Sequence, residues 1–131
     1  MTGAGQALQA AAAAALREIE GLGVHEGPPV QAAACYAVVE PGLESDWSHK
    51  SGRGREVRLA VTLWDRGERP ARLKALAEEA EAAVMALVGL LQGWRLVSVH
   101  FQRCRTVPPK TGSPNGAWAA VIEFRARMME E

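Results

Sequence analysis

From Glu56 to Trp64 the chain reads Glu-Val-Arg-Leu-Ala-Val-Thr-Leu-Trp, with Val57, Leu59 and Val61 alternating against Glu56, Arg58 and Ala60. A period of two sends successive side chains to opposite faces, so the segment predicts a strand with one dry side and one wet side. Such a strand needs neighbours along its edges and a covering layer over its apolar face. The C-terminal segment repeats the pattern, with Trp118, Ala120, Ile122 and Phe124 inward and Glu123, Arg125 and Arg127 outward. Between them, Trp94 to Arg105 predicts a third strand in which Val97, Val99 and Phe101 alternate with Ser98, His100 and Gln102. A turn at Glu26 to Pro29, a short strand from about Ala33 to Glu40, and a stop at Pro41-Gly42 complete the set. Thr106 to Gly116, rich in Pro and Gly, reads as a loop.

Two helices supply the cover. The first, from about Gln6 to Glu20, is alanine-rich and stops at Gly21 and Gly23; Leu8, Ala12, Ala15, Leu16 and Ile19 share one face. The second starts at Pro70, where the missing N–H costs nothing. Leu73, Leu76, Ala77, Ala80, Val84, Leu87, Val88 and Leu91 form its apolar face, Lys74, Glu78, Glu79 and Glu81 meet water, and Gly93 closes it. At ~1.5 Å per residue it spans roughly 33 Å. The order α-β-β-α-β-β predicts an α+β fold: an antiparallel four-stranded sheet of two hairpins, with two helices packed on one face. Residues 1–131 read as a single domain. The other face, with Glu56, Arg58, Arg103, Glu123, Arg125 and Arg127, is polar enough to stay wet or to meet another subunit.

Composition narrows the function. Fifteen basic residues balance fifteen acidic ones, whereas a domain built to grip nucleic acid usually carries a basic excess. The apolar start, Ala7 to Leu16, has no Lys or Arg before it and runs into Arg-Glu-Ile-Glu, unlike a signal peptide. No apolar run approaches ~18 residues, so no membrane span is expected, and the expectation is a soluble protein, intracellular when made. Cys35 and Cys104 belong to no CxxC or zinc spacing and read as small buried hydrophobes. His25, His49 and His100 share no helical spacing, and neither HExxH nor GxSxG occurs. Catalytic residues, a cofactor and a metal are not expected.

One segment asks for a role. Asp46 to Val61, DWSHKSGRGREVRLAV, joins a basic, glycine-punctuated stretch to the strand at Glu56. The connection between the first two strands comes to about 14 residues, where hairpin loops usually have two to five. Lys50-Ser51 imitates the end of a Walker A loop, but the GxxxxGK order is absent and the loop enters a strand and not a helix. Segment 47–58, with His49, Lys50, Arg53, Arg55 and Arg58 beside Trp47, fits single-stranded nucleic acid. It also fits a protein contact, or a solvated turn balanced by Glu44, Asp46 and Glu56, and the neutral total charge favours the solvated turn over nucleic acid. Trp47, Trp64, Trp94 and Trp118 all lie near strand ends, as interface residues or as caps on the core.

Trp-Ser-His-Lys-Ser-Gly-Arg-Gly-Arg-Glu followed by Val-Arg-Leu-Ala-Val-Thr-Leu-Trp resembles the small tail-completion, or tail-terminator, proteins of long-tailed phages, prophages and gene transfer agents. Further along, an Ala/Glu/Leu-rich helix, a strand beginning near Arg95-Leu96-Val97, a Pro-Pro-and-Gly loop and the closing Ala-Ala-Val-Ile-Glu-Phe-Arg-Ala keep the family's order. The resemblance covers nearly the whole chain from about Gly23. It implies a structural virion protein without catalysis: a homo-oligomeric ring, hexameric by that likeness and monomeric until assembly, at the head-proximal end of the tail tube. Its implied partners are the tail-tube protein and the head-completion protein, with DNA passing through unread. Trp47, Ser48, Lys50, Gly52, Gly54 and Glu56 match the family's loop-and-strand pattern, and Arg53 and Arg55 lie between them as further assembly-interface candidates. A connector on the head side of the neck and a small nucleic-acid-binding domain are the alternatives.

Overall fold

The structure is a computed structural model that describes residues 2–25, 35–67, 70–109 and 116–131. Its elements are α1 (Ala4–Leu16), β1 (Gly23–His25), β2 (Cys35–Asp46), β3 (Gly54–Asp65), α2 (Ala71–Met85), β4 (Gly89–Leu91), β5 (Trp94–Val107) and β6 (Trp118–Glu130). They build one six-stranded sheet in the order β1-β2-β3-β6-β5-β4. β1 runs parallel to β2, and every other neighbouring pair is antiparallel. The expected four-stranded antiparallel sheet is therefore corrected to a mixed, curled six-stranded one. The two added strands are three-residue edge pieces, too short to show a period of two in sequence.

The alternating strands behave as their pattern requires. Val57, Leu59, Val61 and Leu63 of β3 and Ala120, Ile122, Phe124, Ala126 and Met128 of β6 are buried under the helices. These two strands pair without a break from Gly54↔Met129 to Asp65↔Trp118 and form the centre of the sheet. Leu8, Ala12 and Leu16 of α1 and Leu73, Leu76, Ala77, Ala80 and Val84 of α2 complete the core. The small alanines let α1 lie close over β2 and β3, where the Gln9 side-chain amide donates to the Val39 carbonyl at 2.8 Å.

Other boundaries moved. Pro41-Gly42 does not end β2; it sits in a bulge between Pro41 and Glu44, after which pairing with β3 resumes to Asp46↔Arg55. α2 stops at Met85, not near Leu91, because Gly89 takes φ 91° and the chain turns back as β4. Val88 is thus 80% exposed instead of part of a helix face. β5 carries bulges between Leu96 and Ser98 and between Phe101 and Arg103, so its simple alternation breaks and Val97 and Phe101 are exposed. Cys35 is buried as expected, but Cys104 is exposed. The turn expected at Glu26 to Pro29 lies outside the described residues, as does most of the Thr106 to Gly116 loop.

An ion pair that the sequence pattern conceals fixes the passage from β3 to α2. Asp65, fully buried, accepts from Arg72 Nε at 2.8 Å and Nη2 at 2.5 Å, and from the Gly67 amide at 2.8 Å. The Arg72 hydrogen bond holds the Asp65 carboxyl at about 2, well below the usual carboxylate range, against a burial that opposes ionisation.

A candidate assembly hairpin

The segment expected to be a long loop is mostly ladder. β2 ends at Asp46 and β3 starts at Gly54, so the connection is Trp47–Arg53, seven residues and not about 14. Even this tip is hydrogen-bonded. The Trp47 amide donates to the Gly54 carbonyl at 2.9 Å, and His49 and Gly52 exchange N–H···O bonds of 2.9 and 3.1 Å around Lys50-Ser51. The polar sequence is therefore the outer part of a stiff β-ribbon, and Glu40 to Asp46 along it are all exposed.

Each candidate residue has a definite place. Ser48 Oγ donates to Asp46 Oδ1 at 2.6 Å and accepts from the Gly54 amide at 3.1 Å, clamping the tip's neck. Gly54 is required by space: a Cβ there would lie 2.3 Å from the Trp47 carbonyl oxygen and 2.7 Å from Met129 Sδ. The Trp47 ring meets His49 edge-on at 4.5 Å, and the Arg127 guanidinium lies 5.4 Å from the Trp47 ring centroid. Arg127 Nε also donates to Glu56 Oε1 at 3.2 Å, and Arg125 Nε lies 3.7 Å from the same oxygen. Glu56 and Arg127 face each other in the β3–β6 register, so the pairing follows from strand order.

The basic residues do not form one patch. Arg53 Nη1 lies 3.4 Å from Glu130 Oε2, and the Arg53 carbonyl accepts from the Glu130 amide at 2.8 Å. Arg55 sits in the ladder opposite Asp46 and Met128, one residue out of phase with Glu56 and therefore toward the other face. Lys50 stands exposed at the tip beside Ser51, with Gly52 next to them. What the structure gathers is a rigid root of Trp47, Ser48, Gly54, Glu56, Arg125 and Arg127, carrying a short cationic point. Arg125 and Arg127 were readable as outward residues of the last strand. Their place beside Glu56 needed the β3–β6 adjacency, which no local pattern encodes.

The other tryptophans divide. Trp94 is 3% exposed and its Nε1 donates to the Thr2 carbonyl at 2.9 Å, a core cap. Trp64 stacks on Tyr36 on the open face, with ring centroids 5.1 Å apart. Arg103 pairs with Glu123 on that face, and this hydrogen bond lowers the Glu123 pKa. Among the described residues no helix is long and apolar enough to cross a membrane.

Comparison with known proteins agrees with this architecture. No curated protein matches the chain in sequence. A chain in the solved virion of a native gene transfer agent particle is similar, with a TM-score of 0.61 and 28% identity over 93% of this chain and 94% of that one. The model of the family described as tail completion protein gp17 matches residues 6–129, nearly the whole length. The chain thus belongs to the tail completion protein gp17 family and is a structural protein of a phage-type tail.

Proposed function

We propose that the protein ends the tail tube at its head-proximal end, assembling there as a ring that joins tail to head in a phage, prophage or gene transfer agent. The family match over residues 6–129 carries this reading, and the likeness to a chain of a gene transfer agent virion supports it. In this reading the ring is hexameric, forms only on a tail end, touches the tail-tube protein and a head-completion protein, and lets DNA pass without reading it. The protein does no catalysis.

The hairpin Trp47–Glu56 is the docking element. Its ladder and clamped neck hold the tip in one conformation, so little chain entropy is lost when a partner is met. Lys50 at the tip supplies an unshielded charge for an acidic group on the tail-tube protein or on the next subunit. Replacing Lys50, Arg53 and Arg55 by Ala tests this in a particle-producing strain that lacks the gene. The expected result is a folded protein that no longer attaches to tails, with overlong or headless tails by electron microscopy. Normal particles from the triple variant would remove the hairpin from the proposal, and normal particles without any copy of the protein would remove the function. Lys50→Ala alone separates the free tip charge from Arg53, which is tied to Glu130.

A further inference from the structure

The sheet has two long edges, and they carry opposite charge. β1 covers only Tyr36 to Val38 of β2, and β4 covers only Trp94 to Leu96 of β5. Among the described residues no strand lies outside Val39–Asp46 or outside Val97–Val107, so both stretches turn backbone donors and acceptors outward along one side, the Val39 carbonyl, taken by Gln9, excepted. β2 carries Glu40, Glu44 and Asp46 and no basic residue, while β5 carries Arg95, His100, Arg103 and Arg105 and no acidic one. Apolar side chains accompany the charges: Leu43 is 75% exposed on the acidic edge, and Val97 is 47% and Phe101 39% exposed on the basic one.

Strand direction fits a match between them. β2 runs opposite to β3, β3 to β6 and β6 to β5, so β2 and β5 point in opposite senses. Two copies standing side by side in the same orientation therefore bring β5 of one against β2 of the next as antiparallel neighbours. If the neighbour's β1 is set just past Val107, Val39 falls opposite Val107 and Asp46 opposite His100. Glu40, Glu44 and Asp46 then lie within one or two residues of Arg105, Arg103 and His100.

We infer that a second copy of this chain docks head-to-tail, the acidic β2 edge of one against the basic β5 edge of the next, so that the sheet continues from copy to copy. This rests on the ring reading above and names its interface. Because the two edges differ, the contact is heterologous, the kind that closes a ring when the rotation per copy divides a full turn. Bulges interrupt both edge strands while the central β3–β6 ladder has none, and Pro41 lacks an amide donor. Bulged edges resist indiscriminate pairing, which leaves charge complementarity to select the partner.

Charge reversal tests it. One variant carries Glu40→Lys and Glu44→Lys, making both of its edges basic. The other carries Arg103→Glu and Arg105→Glu, the residues that meet Glu44 and Glu40 in this register, and places acid opposite acid. Each is expressed alone, and both together, in the producer strain lacking the gene. Alone, each is expected to lower the titre of complete particles about tenfold or more, because like charges meet at every contact. Together they should restore it, since alternating copies pair opposite charges throughout, and the mixed purified proteins should sediment faster at low salt than either alone. Full titres from either variant alone overturn the edge contact and leave the tail-completion reading intact. A mixture of folded variants that fails to recover also overturns it, whereas failure of the wild-type gene to restore particles defeats the tail-completion reading itself. Glu40→Gln and Arg105→Gln, which remove charge without reversing it, repeat the test for any variant that does not fold and are expected to give partial losses.

Discussion

Gly54→Ala is the sharpest probe of the hairpin. The added methyl would sit 2.3 Å from the Trp47 carbonyl oxygen, so the two backbones must separate by about 1 Å to reach ordinary contact. Met129 Sδ, at 2.7 Å, ends a flexible side chain and can move aside; the carbonyl cannot. Separation stretches the Trp47 N–H···O bond to Gly54 and the Gly54 N–H bond to Ser48 Oγ, now 2.9 and 3.1 Å. Overpacking costs about 1–3 kcal/mol and each weakened hydrogen bond up to about 1, giving about 3 kcal/mol in all. The strain falls on the tip, so opening the tip relieves it before the core is touched. Hydrogen exchange at the Trp47, His49 and Gly52 amides should accelerate about 100-fold, while the amides of Val57 and Leu59 keep their protection. The melting temperature should fall by only a few degrees, less than the ~10 °C expected if a domain of this size felt the whole 3 kcal/mol globally. Tail attachment should be lost with the tip. Unchanged exchange at Trp47 and His49 in Gly54→Ala would refute the close-approach argument, and Ser51→Ala at the exposed turn is the control that should change nothing.

Further outcomes concern the rest of the molecule. Arg72→Met leaves the Asp65 carboxylate buried without its cation; from a folded pKa of about 2 against the usual value, the pair's loss costs on the order of 2 kcal/mol at neutral pH, or ~7 °C in melting temperature. Because the folded pKa is depressed, that stability is complete above about pH 4 and disappears as pH falls toward about 2, so calorimetry should show the wild-type and variant melts converging over that interval. A double-mutant cycle of Trp47→Ala and Arg127→Met should return a coupling of about 0.5–1 kcal/mol in urea unfolding, the worth of a partly exposed cation–π contact. A thiol reagent should label exposed Cys104 and spare buried Cys35 in the native protein. Burial of its sulfur raises the Cys104 pKa, so labelling should be slow at neutral pH and quicken in alkali.

Much of the fold was legible because long amphipathic strands report their own inward faces. Val57, Leu59 and Val61, and Ala120, Ile122 and Phe124, needed only alternation. Local pattern failed where backbone conformation overrode it. Leu87 to Leu91 continue the apolar rhythm of α2, yet Gly89 at positive φ turns them into an edge strand. Pro41-Gly42 reads as a stop, yet a bulge absorbs both residues and the ladder goes on. Cys104 sits in an apolar-looking run, but on β5 it lines an open cleft beside Lys74, Glu78 and Glu81 of α2 and stays exposed. At the hairpin, Trp47, Ser48, Gly54 and Glu56 stood out by residue type, whereas Arg127, 71 positions from Glu56, could be joined to it only by knowing that the second strand of one hairpin lies beside the second strand of the other. The opposite charges of β2 and β5 were present in the sequence from the start and acquired meaning once both were known to be edges.

The unbroken β3–β6 ladder has a mechanical consequence. The hairpin tip leads directly into Gly54, the first residue of a twelve-residue strand registered along its whole length against β6. A pull along β3 from the tip loads those bonds in shear, all together, and not one after another as in unzipping. The tip therefore behaves as the end of a lever set in the middle of the body: in the docking role proposed above, a displacement imposed at the tip passes straight into the central ladder of the sheet.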